Sequence, residues 1–101
     1  MSSEKIQVAV CMGSDSDWPV MCAATQVLTE LGISNKPFVL SAHRMPLEMT
    51  AFAQSARENG FDVIIAGAGG AAHLPGMIAS LTTLPVIGVP VSATKLDGMD
   101  A

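Results

Sequence analysis

Ser41, His43 and Arg44 stand together in the stretch Ser41-Ala42-His43-Arg44. An apolar run, Lys36-Pro37-Phe38-Val39-Leu40, precedes it, and Met45-Pro46 opens a helical pattern after it. A hydroxyl, an imidazole and a guanidinium therefore fall at the carboxyl end of an expected strand, where open parallel α/β sheets bind their ligands. Arginine offers a planar fork of donors matched to phosphate or carboxylate. The ordinary pKa of histidine lies near neutrality, so His43 can both give and take a proton. Taken alone, the stretch also reads as a polar loop with a solvated His and Arg.

Two further loops change that balance. Gly13-Ser14-Asp15-Ser16-Asp17 opens a helix, and the free N–H groups of a helix start make a candidate anion site to which Ser14 adds a hydroxyl. Asp17 suits paired sugar hydroxyls. Ser16 reads as a helix cap, whereas Ser14 and Asp17 serve equally as caps or as ligand groups. Gly67-Ala68-Gly69-Gly70-Ala71-Ala72 has the local spacing of a dinucleotide-binding turn. The acid that such a turn needs about twenty residues later is missing; Val86-Ile87-Gly88-Val89 stands there instead. The loop is better read as a flat shelf, poor in side chains, against which a planar ligand can lie, with His73 as a second polar group at its end. The set suits proton transfer on a small phosphorylated heterocycle or sugar.

Composition narrows the partners. Half of the 101 residues are apolar, 14% are charged, and the net charge is −4. A chain of this size buries only about two thirds of its unfolded surface, so the apolar excess is expected in subunit contacts. The basic residues are scattered at Lys5, Lys36, Arg44, Arg57 and Lys95. Nucleic acid and acidic membrane surfaces need clustered basic charge, so neither is an expected partner. The two histidines and two cysteines lack metal-ligand spacing, and no metal is expected. Cys11 and Cys22 read as buried free thiols, which fits a reducing compartment. No secretory signal is recognised at the start, and no apolar run reaches the ~20 residues that span a bilayer.

The elements that must position these groups follow from the hydrophobic pattern. Residues 5 to 12 are almost continuously apolar, as in a strand buried on both faces. A helix is expected to start near Asp17 to Pro19, with Val20, Ala24, Val27, Leu28 and Leu31 as its apolar stripe and Gly32 as its stop. A second strand covers about residues 36 to 41. Pro46 then starts a helix whose stripe is Met49, Phe52, Ala53 and Ala56, ended by Gly60. Asp62 to Ala66 is a third strand, followed by the loop 67 to 73. Leu74, Met77, Ile78 and Leu81 form a third helical stripe, closed by Pro85, and Val86 to Val89 is a fourth strand. Strict β-α alternation with short links implies an α/β fold with a parallel, doubly wound sheet. The loops 13–17, 41–45 and 67–73 then emerge at one end of it. The links at the other end, around Gly32 to Asn35, Asn59-Gly60 and Thr83-Leu84, carry no comparable reactive set.

Three segments are also specific as words. Met12-Gly13-Ser14-Asp15-Ser16-Asp17-Trp18, Ser41-Ala42-His43-Arg44-Met45-Pro46 and Gly67-Ala68-Gly69-Gly70-Ala71-Ala72-His73-Leu74-Pro75-Gly76-Met77 resemble, in order and spacing, the signature segments of the class I PurE family. Its members are N5-carboxyaminoimidazole ribonucleotide mutases of de novo purine synthesis. The resemblance implies a three-layer α/β/α sandwich with a parallel flavodoxin-like sheet, and a reaction that moves a carboxylate from the exocyclic amine to the adjacent ring carbon without metal or organic cofactor. His43 would be the general acid-base. Ser14, Ser41 and Arg44 would hold the substrate phosphate, and Asp17 the ribose hydroxyls. Gly69, Gly70, Ala71 and His73 would line the base and trap CO2. It further implies a cytoplasmic homo-octamer. Family members continue with a further strand, a loop over the substrate and C-terminal helices, so residues 1–101 are expected to be the N-terminal part of such a domain. Two other activities stay open: carboxylation of aminoimidazole ribonucleotide by CO2 directly, and a nucleotide-binding module without catalysis.

Overall fold

The computed structural model describes residues 5–41, 45–68 and 73–91. Four strands, β1 (Val8–Met12), β2 (Asn35–Val39), β3 (Val63–Ala68) and β4 (Val86–Pro90), form one parallel sheet in the order β2-β1-β3-β4. Between them run a 3-10 turn (Asp15–Asp17) and the helices α1 (Trp18–Glu30), α2 (Pro46–Ser55) and α3 (His73–Ala79). The expected α/β alternation is therefore observed. The order places the switch in winding direction at β1 and β3, the point where doubly wound sheets open a crevice at their carboxyl ends. Register holds the strand tips level there: Met12 lies opposite both Val39 and Gly67. The ladder extends past the strands, with Leu40 N–H donating to Met12 O and Val91 N–H to Ala68 O.

Side-chain alternation along β1 and β3 builds two cores, one on each face. Ala9, Cys11, Ile64 and Ala66 meet Met49 and Ala53 of α2 and Leu74 and Ile78 of α3. Val8, Val10 and Met12 meet Met21 of α1. The sheet is thus a middle layer with α1 on one side and α2 and α3 on the other. Met21, Met49 and Ile78 are each at most 1% exposed, and truncating a core side chain of that size to alanine costs about 2–5 kcal/mol. On the α2 side, Phe38, Phe52 and Phe61 form a cluster with ring centroids 5.0 to 5.8 Å apart, which seats α2 on β2.

Several expectations are corrected. The buried face of α1 is carried by Met21, with Ala24 and Leu28 packed beside it. Val20, Val27 and Leu31 of the expected stripe face outward, at 44%, 53% and 68% exposure. Apolar residues ring this helix nearly all round, so periodicity alone could not choose the face that docks. In α3, Leu74 and Ile78 are buried but Met77 is 39% exposed. The third strand runs on to Ala68, because the small residues Gly67 and Ala68 continue the ladder beside β1 and β4. Cys11 is buried as expected, and burial pushes its thiol up to about 12. Cys22 is only partly buried, with its thiol 3.3 Å from Pro19 O. Both cysteines are free. The expected turn glycines hold: Gly32 and Gly60 have φ of 77° and 96°, a conformation that other residues rarely adopt. Among the described residues, no helix is long and apolar enough to cross a membrane.

Candidate active site

The site is built from the turn after β1. Ser14 is extended and caps the 3-10 turn, and its Oγ accepts from Ser16 N–H at 3.2 Å and from the Ser16 hydroxyl at 3.0 Å. The cap is therefore Ser14, and Ser16 serves it rather than capping the helix itself. Both lone pairs of Ser14 Oγ are engaged by Ser16, and its proton is directed at Asp15 Oδ1 at 3.5 Å, a long contact that a stronger acceptor can replace. The backbone of the turn is largely used up. Ser16 N–H is on Ser14 Oγ, Asp17 N–H on Ser14 O, and Trp18 N–H on Asp15 O. Pro19 has no N–H to give. The start of α1 consequently presents fewer free donors than the sequence pattern suggested, and an anion here depends more on side chains.

Asp17 behaves differently. It is the N-cap residue of α1, yet its side chain makes no capping hydrogen bond. It is only 7% exposed. A carboxylate kept from water without capping its own helix is costly, so its role at this end of the sheet is not explained by helix formation.

The second loop is approached from β2. Ser41 follows Leu40, whose N–H bonds to the last residue of β1, so Ser41 is anchored beside the β1 tip. It is 7% exposed, and its carbonyl accepts from Met45 N–H at 2.9 Å. Pro46 then starts α2 at its first position. His43 and Arg44 lie outside the described residues, as do Gly69, Gly70 and Ala71 of the shelf. His73 is the first residue of α3, exposed and at the same end of the sheet.

A cleft of about 490 Å³ joins the first two loops, lined by Ser14, Asp15, Val39 and Met45. That volume accommodates a mononucleotide-sized ligand. Ser14 is thereby brought onto the flank of the 41–45 loop. Asp17, Ser41 and His73 sit at the same end of the sheet but are not among the described residues that line this cleft. Sequence reasoning missed Asp15, Val39 and Met45 as wall residues. Asp15 stood within the chosen segment, with its carboxylate 3.5 Å from Ser14 Oγ. Val39 and Met45 gave no signal, because apolar residues beside a helix start read as packing. A slightly larger hollow, about 530 Å³, lies at the opposite end between α2 and the α3–β4 link, and includes Gln54, Arg57, Glu58, Ser80 and Thr83. Those five side chains are all exposed. Asp17 and Ser41 are the buried polar side chains among the described residues, and both are at the first end.

Comparison with known proteins adds a family. The chain is 57% identical to the N5-carboxyaminoimidazole ribonucleotide mutase of Mycobacterium tuberculosis over 100 residues, covering 99% of this chain and 58% of that protein. It is 55% identical to the mutase of Pyrococcus horikoshii, over 100% of this chain and 57% of the relative. It is also 57% identical to phosphoribosylaminoimidazole carboxylase of Saccharomyces cerevisiae, over 93% of this chain and 16% of that longer protein. The chain thus spans somewhat over half the length of the mutases that it matches. The family model described as AIR carboxylase matches residues 7–101, and the chain belongs to that family.

Proposed function

We propose that the protein containing this chain is an N5-carboxyaminoimidazole ribonucleotide mutase, an isomerase that produces 4-carboxyaminoimidazole ribonucleotide in purine synthesis. The observation that carries this reading is the 57% identity to a mutase across 99% of the chain. The Ser14 hydroxyl, with both acceptor positions taken by Ser16, turns its proton from Asp15 Oδ1 to the substrate phosphate beside Arg44 and Ser41. Asp17 accepts from the ribose hydroxyls. Gly69, Gly70 and Ala71 form the shelf under the imidazole ring, with His73 at its edge.

His43 is the general acid-base. Its imidazolium protonates the carbamate nitrogen as the N–C bond breaks and CO2 is released into the site. The adjacent ring carbon attacks that CO2, forming the new C–C bond. His43, now neutral, removes the proton from that carbon, restoring the aromatic ring and its own charge. The proton count closes within one residue, and the family resemblance implies a reaction without metal or organic cofactor. The protein acts as a cytoplasmic homo-oligomer, an octamer on the family pattern. The exposed Val20 and Val27 of α1, with Leu31 at its C-cap, share one face and support a subunit contact there.

The test is conversion of the N5-carboxylated ribonucleotide by the intact protein and by His43→Asn. Equal rates would remove His43 from the mechanism. The second reading is carboxylation of aminoimidazole ribonucleotide by CO2, favoured by the similarity to the yeast carboxylase and to the chloroplastic carboxylase of Vigna aconitifolia. Turnover of the uncarboxylated ribonucleotide in proportion to added bicarbonate, with no turnover of the carbamate, would establish it instead.

A further inference from the structure

Gly67 is the fifth residue of β3 and lies opposite Met12 of β1, at the level of the strand tips. A side-chain carbon placed on Gly67 would overlap Met21 Sδ, with Met21 Cε at 3.0 Å and Cγ at 3.3 Å. The thioether of α1 therefore rests directly on the β3 backbone, an approach that only a glycine permits. Met21 is 1% exposed and packed among Val8, Val10, Met12 and Val91, which confine it. Met21 stands four residues after Asp17, and residues so spaced share one helix face. Asp17 and Met21 are both buried, so this face is the one turned to the sheet.

Building on the mutase reading, we infer that Gly67 and Met21 form a seat that sets the height of the first turn of α1 over β3, and that through it they are positioning residues for Asp17 and Ser14. The seat ties the proposed phosphate and ribose turn after β1 to β3. A misplacement of about 1 Å at such a site is costly. Because the seat acts on ground-state and transition-state binding alike, its loss appears in KM rather than in kcat.

The test uses the full chain. Gly67→Ala is expected to raise KM for N5-carboxyaminoimidazole ribonucleotide about tenfold with kcat within about threefold, and to shift the backbone amide resonances of Ser14, Ser16 and Asp17. Adding Met21→Ala removes the colliding sulfur and lets the new methyl on residue 67 take over part of the contact that the thioether gave, so both readouts are expected to return towards wild type, whereas Met21→Ala alone leaves the seat empty. Amides at 14–17 that do not move in Gly67→Ala would overturn the inference, since Met21 would then be absorbing the methyl locally. A double variant as impaired as the single one would overturn it too. Should Gly67→Ala not fold, Met21→Ala alone removes the seat without a clash, and unmoved amides at 14–17 in that variant would be equally decisive. The amide readout needs no substrate, so it judges the seat even in a protein that leaves the ribonucleotide unconverted, where only the mutase reading fails.

Discussion

The two ends of the sheet differ in a way that cavity size does not reveal. The amino end has a hollow of about 530 Å³, rimmed by the exposed Gln54, Arg57, Glu58 and Ser80. The carboxyl end has a cleft of about 490 Å³, but beside it two polar side chains, Asp17 and Ser41, are kept from water. Polar groups on a rim are hydrated at little cost, whereas burial of a carboxylate is opposed by its lost hydration. That burial is what separates the two ends, and it is the reason for placing the candidate site at the carboxyl end. Arg57 illustrates the contrast: its guanidinium donates to Thr83 Oγ1 at 3.2 Å across open surface, an interaction worth little against water.

If the carboxyl end is the site, His43→Asn should lower kcat by about 10² to 10⁴-fold, the usual contribution of a positioned acid-base group, with the fold retained by circular dichroism. Asp17→Asn should come next, lowering kcat/KM by about ten- to a hundredfold through loss of charged hydrogen bonds to the ribose. A ribonucleotide lacking the 2′ and 3′ hydroxyls should then be indifferent to the change, and sensitivity of that analogue would assign Asp17 another role.

Cys11 reports how dry the body between the two ends is. Its thiol is held near 12 against an ordinary 9.0 by burial. The native state therefore keeps the proton more tightly than the unfolded chain. This contribution is intact below pH 9 and is lost as pH rises from 9 towards 12. Unfolding free energy should fall by up to about 1.4 kcal/mol per pH unit in that window, and Cys11→Ala should show a shallower slope in urea titrations at pH 8 and 10. Alkylation of the native protein at neutral pH should label Cys22 first, as read by mass spectrometry. The smallest effect belongs to the amino end: Arg57→Ala should leave kcat/KM within about twofold, consistent with the small worth of exposed pairings. A large loss there would break the contrast.

The fold was legible because strand and helix periods differ and because punctuation was clear. Pro46 begins α2, Gly32 and Gly60 take positive φ after their helices, and Met49, Phe52, Ala53 and Ala56 face the core. The docking face of α1 was not legible, since Met21 and its apolar neighbours offer several competing stripes and only the sheet selects one. The extension of β3 through Gly67 and Ala68 was hidden for a related reason: small residues read as loop until flanking strands supply the ladder. At the site, the types and order of the reactive residues could be read, but the internal hydrogen bonding of the 14–17 turn could not. The consumption of its N–H groups is a property of the turn conformation, not of residue identity.

Pro37, in the middle of β2, carries one last consequence. Leu40 N–H points inward to Met12 O, and alternation along the strand turns the Pro37 nitrogen to the outer border of the sheet. Having no hydrogen there, it leaves a missing rung for any foreign strand that tries to zip on, and Lys36 next to it adds charge. That flank is thereby shielded from runaway edge-to-edge stacking, a safeguard against aggregation written into a single ring.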